Sequence, residues 1–197
     1  MAGVIAVAVT AGGAAVAQRY TTADDVFRDN PIQVGGVPSR QERTAIPGTS
    51  RLVTGVPVPD VGRVRIYMAD GTRDGLCLAA RLPSGEWLPL AGCWPRRDDP
   101  GERENLAQTG FDYRQETIYR GSDPVGQIVY GIVTREHAAE AVRVVDRLSG
   151  ATSPTRAKGV FAFAVPAGQV DVAPVAYDAA GRIVSPRSGD LRRKSSR

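Results

Sequence analysis

The sequence predicts a mainly β protein, an antiparallel β-sandwich of which an immunoglobulin-like arrangement is one form. Three observations predict it. From Gly62 onward apolar and polar residues alternate with period two, the pattern of half-buried strands. Glycine and proline are abundant, 22 and 14 of 197 residues, and cut the chain into short runs rather than long helices. Strand-like runs recur at regular spacing between Arg51 and Pro186, about nine in all, as sandwiches require. Hydrophobic residues make up 42% and charged residues 23%, enough apolar material for a core and too much for a disordered chain.

Residues 1–17, MAGVIAVAVTAGGAAVA, carry no charged side chain. The run falls short of the roughly 20 apolar residues of a membrane-spanning helix. It suits the apolar region of an export signal, with Ala15-Val16-Ala17 as the small-x-small cleavage motif before Gln18. No Lys or Arg precedes it, so a basic leader requires a start further upstream. A retained signal anchor, touching the membrane through this segment, is one alternative. A buried Ala/Val element of the core is the other.

Residues 18–60 are rich in proline and glycine and read as a stalk or strap. Within them Thr22-Ala-Asp24-Asp25 caps a short helical turn through Phe27, and an edge strand over Leu52 to Val58 competes with the stalk reading. Residues 61–186 form the predicted β domain. In RVRIYMA, Val64, Ile66 and Met68 face one way and Arg63, Arg65 and Tyr67 the other. Asp70-Gly71 turns the chain. Leu76, Leu78, Ala80 and Leu82 then alternate with Cys77, Ala79 and Arg81, Pro83-Ser84-Gly85 makes a turn, and Glu86 to Trp94 returns as the second arm of a hairpin. Further strands are expected at Arg114–Tyr119, Gly126–Val133, Val160–Val165 and Val170–Tyr177, the last turning through Asp178 to Arg182 into Ile183–Ser185. Thr134–Leu148 fits both periodicities and reads as one helical turn through Ala141 followed by a strand.

Residues 187–197 are a basic tail with nothing to bury, expected to be disordered. The tail carries the whole net charge of +4, so the rest of the chain is neutral. Arginine dominates the basic residues, with Lys158 and Lys194 the sole lysines, as GC-rich coding produces. The hairpin GLCLAARL…AGCW, paired with the late hairpin VAYDAAGRIV, resembles uncharacterised exported β-domain proteins of actinobacteria. The resemblance covers about two thirds of the chain. It implies an exported β domain and transfers no activity and no site residue.

Cys77 and Cys93 are the only cysteines. Their spacing is not the C-x-x-C of a redox pair. A structural zinc site needs four ligands, and the chain offers two cysteines and one histidine beside its carboxylates. A disulfide across the two arms of the hairpin is the geometrically easy arrangement. It belongs in an oxidising compartment and so agrees with export; two free buried thiols are the alternative.

Chemistry-bearing residues are sparse. His137 is the only histidine, flanked by Glu136 and Glu140, and no G-x-S-x-G elbow accompanies it. Asp98-Asp99 and Asp24-Asp25 are adjacent pairs, which do not set the separation that a glycosidase needs. Asp70-Gly-Thr-Arg-Asp74-Gly75 lacks the oxygen spacing and closing glutamate of a calcium loop. No catalytic residue, metal site or cofactor is therefore assigned. Trp87, Trp94 and Tyr113 are the candidate ligand-binding aromatics, a carbohydrate or peptide platform if exposed. The neutral domain argues against nucleic acid. The expected function is a non-enzymatic binding or scaffold module outside the membrane, with an unknown protein or cell-envelope partner. The rivals are an extracytoplasmic hydrolase using His137 and an intracellular structural or partner subunit.

Overall fold

In the computed structural model, residues 21–29, 45–71, 75–89, 91–94, 111–133 and 139–184 are described. Residues 1–17, His137, Asp98-Asp99 and the 187–197 tail lie outside them. The protein is mainly β, and its sheets are antiparallel, as expected. One helix, α1 (Ala23–Asp29), precedes ten strands: β1 (Arg51–Val58), β2 (Gly62–Asp70), β3 (Leu76–Arg81), β4 (Gly92–Trp94), β5 (Phe111–Arg120), β6 (Asp123–Val133), β7 (Arg143–Asp146), β8 (Thr152–Pro154), β9 (Val160–Val165) and β10 (Pro174–Tyr177). They hydrogen-bond into three sheets, ordered β1-β2-β3-β4, β5-β6-β9 and β10-β7-β8.

Strand alternation decides how these layers stack. In β2 and β3, Val64, Ile66, Met68, Leu76, Leu78 and Ala80 point into a core shared with Ile118, Ile128, Tyr130, Ile132, Val160 and Ala162 of the middle sheet. The residues between them on β6 and β9 point the other way. Val129, Val133, Phe161, Phe163 and Val165 form a second core with Val144 of β7 and Ala176 of β10. Phe111 and Phe161 meet edge to face, ring centres 5.7 Å apart. The middle sheet is thus buried on both faces. On the outer face of the first sheet, Ala69, Cys77, Ala79 and Cys93 pack under Ala23, Val26 and Phe27 of α1.

Helix α1 starts at the expected cap. The Asp25 backbone N–H donates to Thr22 Oγ1 at 3.2 Å, and the Thr22 N–H donates to the Asp25 carboxylate at 3.0 Å. That reciprocal pair satisfies donors which the first helical turn leaves open.

Several expectations shift. Residues 51–58, inside the stretch read as a stalk, are the edge strand β1, and Val56 and Val58 belong to the core. Pro57 fits such an edge, because a missing N–H is tolerated there. The return arm of the first hairpin is broken: Trp87 bridges Arg81, and pairing then resumes at Gly92–Trp94. Pro89 lies between and has no donor to give the ladder. Strand β10 begins at Pro174 rather than Val170, which is 85% exposed. The residues before it are committed to Asp146 instead. Asp146 accepts the Ala173 N–H at 2.7 Å and the Gln169 side-chain amide at 2.9 Å. In the ambiguous 134–148 stretch, a turn at 139–140 leads into strand β7.

Gly131 of β6 lies where β5 leaves no room for a side chain. A Cβ built there meets Asp112 O at 2.1 Å and Tyr113 Cα at 2.6 Å. Backbone cannot yield as a side chain end can, so Gly131→Ala is expected to destabilise the fold by about 3 kcal/mol or more. The urea midpoint measures it. A variant as stable as the parent sinks this account of the close approach.

Candidate functional site

Cys77 and Cys93 are directly opposed in the β3–β4 register and are joined as a disulfide. Both are buried against α1. The bond pins a three-residue strand that backbone pairing alone would hold weakly. Among the described residues no cysteine is free.

Beside the small residues under α1, the first sheet's outer face carries long side chains, of which Tyr67 and Trp87 pack against the α1 cluster. Gly55 pairs with Arg65, Arg65 with Arg81, and Arg81 bridges Trp87, so these four residues form one row across the sheet. Arg63 sits beside the row, its stem lying over Gly55. A Cβ on Gly55 would meet Arg63 Cδ at 2.8 Å, so the stem lies there only because residue 55 has no side chain. Arg63 donates to the Gly55 carbonyl at 3.4 Å. The Arg81 guanidinium stands over the Trp87 ring, 5.2 Å from its centre, and its Nε–H donates to Gly85 O at 2.9 Å. Tyr67 and Trp87 meet with ring centres 5.1 Å apart and planes tilted by 58°. Arg63 and Arg65 are exposed; Arg81, Tyr67 and Trp87 are half-buried.

The three aromatics proposed from the sequence are not gathered together. Trp87 belongs to this outer face. Trp94 ends β4, opposite Leu76. Tyr113 lies on β5, packed against the second core. Burial first, then the charges of Asp146, Asp171 and Asp112, raise the Tyr113 hydroxyl's pKa above its usual value. The arginines were missed because only the cross-strand register unites them. Alternation alone did put Arg63, Arg65 and Tyr67 on one face.

Several other polar groups are committed to the fold. Asp70 of β2 accepts a hydrogen bond from Lys158 Nζ and lies 3.5 Å from Arg51. The Lys158 bond is the chief reason its carboxyl is held below the ordinary 3.8. The buried Tyr130 hydroxyl donates to Glu116, and burial, followed by that carboxylate's charge, pushes the tyrosine pKa well up. For Asp146 burial pushes upward, yet hydrogen bonds from Ser149, Ala173 and Gln169 outweigh it and hold the carboxyl low. No group of three His, Cys, Asp or Glu suited to a metal occurs among the described residues.

Comparison with protein-family models, curated proteins and solved structures finds no match to this chain. No helix of the described residues is long and apolar enough to cross a membrane.

Two outcomes follow from this geometry. Closing a loop of about 15 residues stabilises by about 3 kcal/mol in the chain-entropy model, so Cys77→Ala with Cys93→Ala should cost about that much in urea unfolding. An unchanged midpoint would contradict a stabilising bridge. A carboxylate whose folded pKa is depressed adds stability above its unfolded pKa. That contribution is lost as pH falls through the folded value. Lys158→Met should therefore flatten part of the fall in stability below about pH 4. Urea midpoints at neutral pH and at about pH 3 test this, and parallel pH profiles for the two proteins would exclude it.

Proposed function

We propose that this chain is an exported or membrane-anchored, non-enzymatic β-sandwich module, immunoglobulin-like in type, that binds or scaffolds outside the membrane. The observation that carries the reading is the buried Cys77–Cys93 disulfide. Such bonds persist in oxidising compartments and are rare where glutathione and thioredoxin keep thiols reduced. The sandwich assignment is supported by the core that the first and middle sheets share. The apolar segment 1–17 supports export, as a cleaved signal or as a retained anchor in contact with the membrane. A cell-envelope partner fits that location better than nucleic acid does, since the chain outside its tail is neutral. The resemblance to exported β-domain proteins of actinobacteria points the same way.

Intact mass from the native host, with thiols alkylated before and after reduction, tests the proposal. A chain starting near Gln18 with both thiols protected until reduction is the expected result. Full length with protected thiols identifies the anchored form. Full length with both thiols free overturns the compartment and the module together.

A further inference from the structure

We propose that the arginine-bearing part of the first sheet's outer face, beside the part under α1, is a docking surface for an acidic polysaccharide, a sugar chain bearing carboxylates. The exported-module reading enters only in saying where such a polymer is met.

The first observation is electrostatic. Arg65 and Arg81 are direct cross-strand partners, an arrangement of like charges that weakens a sheet. Arg63 lies two residues along the same strand and the same face. Among the described residues no carboxylate pairs with any of the three, whereas Arg51, Lys158 and Arg182 each meet an aspartate. A carboxylate set between Arg65 and Arg81 turns the repulsion into two charge-assisted contacts, and the guanidinium fork matches a carboxylate's two oxygens.

The second observation is the neighbour of the charges. The row Gly55–Arg65–Arg81–Trp87 ends on an aromatic pair, Trp87 with Tyr67. Adjacent strands stand about 4.8 Å apart, so the row is about 14 Å long, an extended strip rather than a point site. Arg81 is already held by Gly85 and Trp87, so little of its freedom remains to be lost on binding.

The third observation concerns the kind of polymer. A peptide that docks on a sheet typically adds to an edge and takes up free backbone groups. Here the surface is a face, and β2 is paired on both sides by β1 and β3. It carries the exposed Arg63 and Arg65 and the half-buried Arg81 beside the half-buried Trp87 ring. A sugar ring with an apolar C–H face and a carboxylate substituent matches both.

The test is calorimetric titration of the full chain with polygalacturonate oligomers, at low and at physiological salt, beside neutral dextran oligomers and polyglutamate. Saturable binding of polygalacturonate that weakens with salt is expected, with none for dextran. Arg65→Gln with Arg81→Gln should weaken it at least tenfold while the urea midpoint holds or rises, since a like-charge pair is removed. Should the double variant lose its fold, Arg65→Gln alone carries the test, with a loss of at least threefold expected. Absence of binding, or variants that bind as the parent does, overturns the proposal. Polyglutamate binding as tight as polygalacturonate overturns the sugar assignment in favour of an acidic peptide. The titration uses the purified chain, so its failure leaves the export reading to the mass measurement. Free thiols in the host would in turn leave a positive titration standing.

Discussion

The structure is organised around the double-sided burial of the middle sheet. In β6 every residue from Gly126 to Val133 is buried. Such a strand must be apolar on both faces, so it reads as a continuous run rather than an alternating one. GQIVYGIV satisfies that condition with four polar or small exceptions, and each is accommodated locally. Gly126 lies against Val58, where a Cβ would meet Val58 Cγ1 at 2.6 Å. Gln127 bonds to Gln115 and Thr117, Tyr130 bonds to Glu116, and Gly131 makes room for the close approach of β5. An unpaired polar group in this sheet would cost about 1–3 kcal/mol, a large share of a domain's net stability.

Burial on both faces also determines how the outer layers attach. At the β9 edge of the middle sheet a backbone donor goes to a side chain rather than to a further strand's carbonyl: Ala162 N–H donates to Ser153 Oγ at 3.0 Å. Strand β8 is therefore adjacent to β9 without extending its ladder, and the third sheet covers the middle one as a separate layer. Polar chains then join the layers where apolar contact runs out. Gln115 reaches the Gln169 carbonyl, and Gln169 reaches Asp146. On the other side Lys158, just ahead of β9, reaches Asp70 at the end of β2. Lys158 holds a left-handed backbone, φ 64°, which a non-glycine residue adopts only when its surroundings hold it there.

The sequence made the strands legible wherever one face met solvent or a turn was marked by glycine and proline. Arg63 to Met68 and the turn at Pro83-Ser84-Gly85 were readable for that reason, and so was the capped start of α1. It was less informative where tertiary partners compete for the backbone. Val170 has strand propensity, yet its loop serves Asp146. Leu52 to Val58 carries Pro57 and still pairs as an edge. The cysteine pair was legible because two residues admit one internal bridge. The candidate site was legible only in parts. Alternation placed Arg65 and Tyr67 together, and aromatic character marked Trp87. The partnership of Arg65 with Arg81 depends on a register that no local pattern specifies.

The two halves of the first sheet's outer face show how side-chain size divides cover from contact. Where that face carries Ala69, Cys77, Ala79 and Cys93, small side chains let α1 approach and bury them. The disulfide suits that half, since it secures β4 while adding little bulk under the helix. Where the same strands carry Arg63, Arg65 and Arg81, long charged stems stand on the sheet in place of small side chains. Under a covering element the guanidinium groups would lose hydration without a partner. Covering that half with an apolar element would therefore be unfavourable, and leaving the arginines opposed carries its own smaller cost. A partner that brings negative charge meets both conditions, because it supplies the missing counter-charge and keeps the polar groups hydrogen-bonded. The residue pattern that builds the helix-covered part of this layer thus also leaves Arg63 and Arg65 exposed beside it.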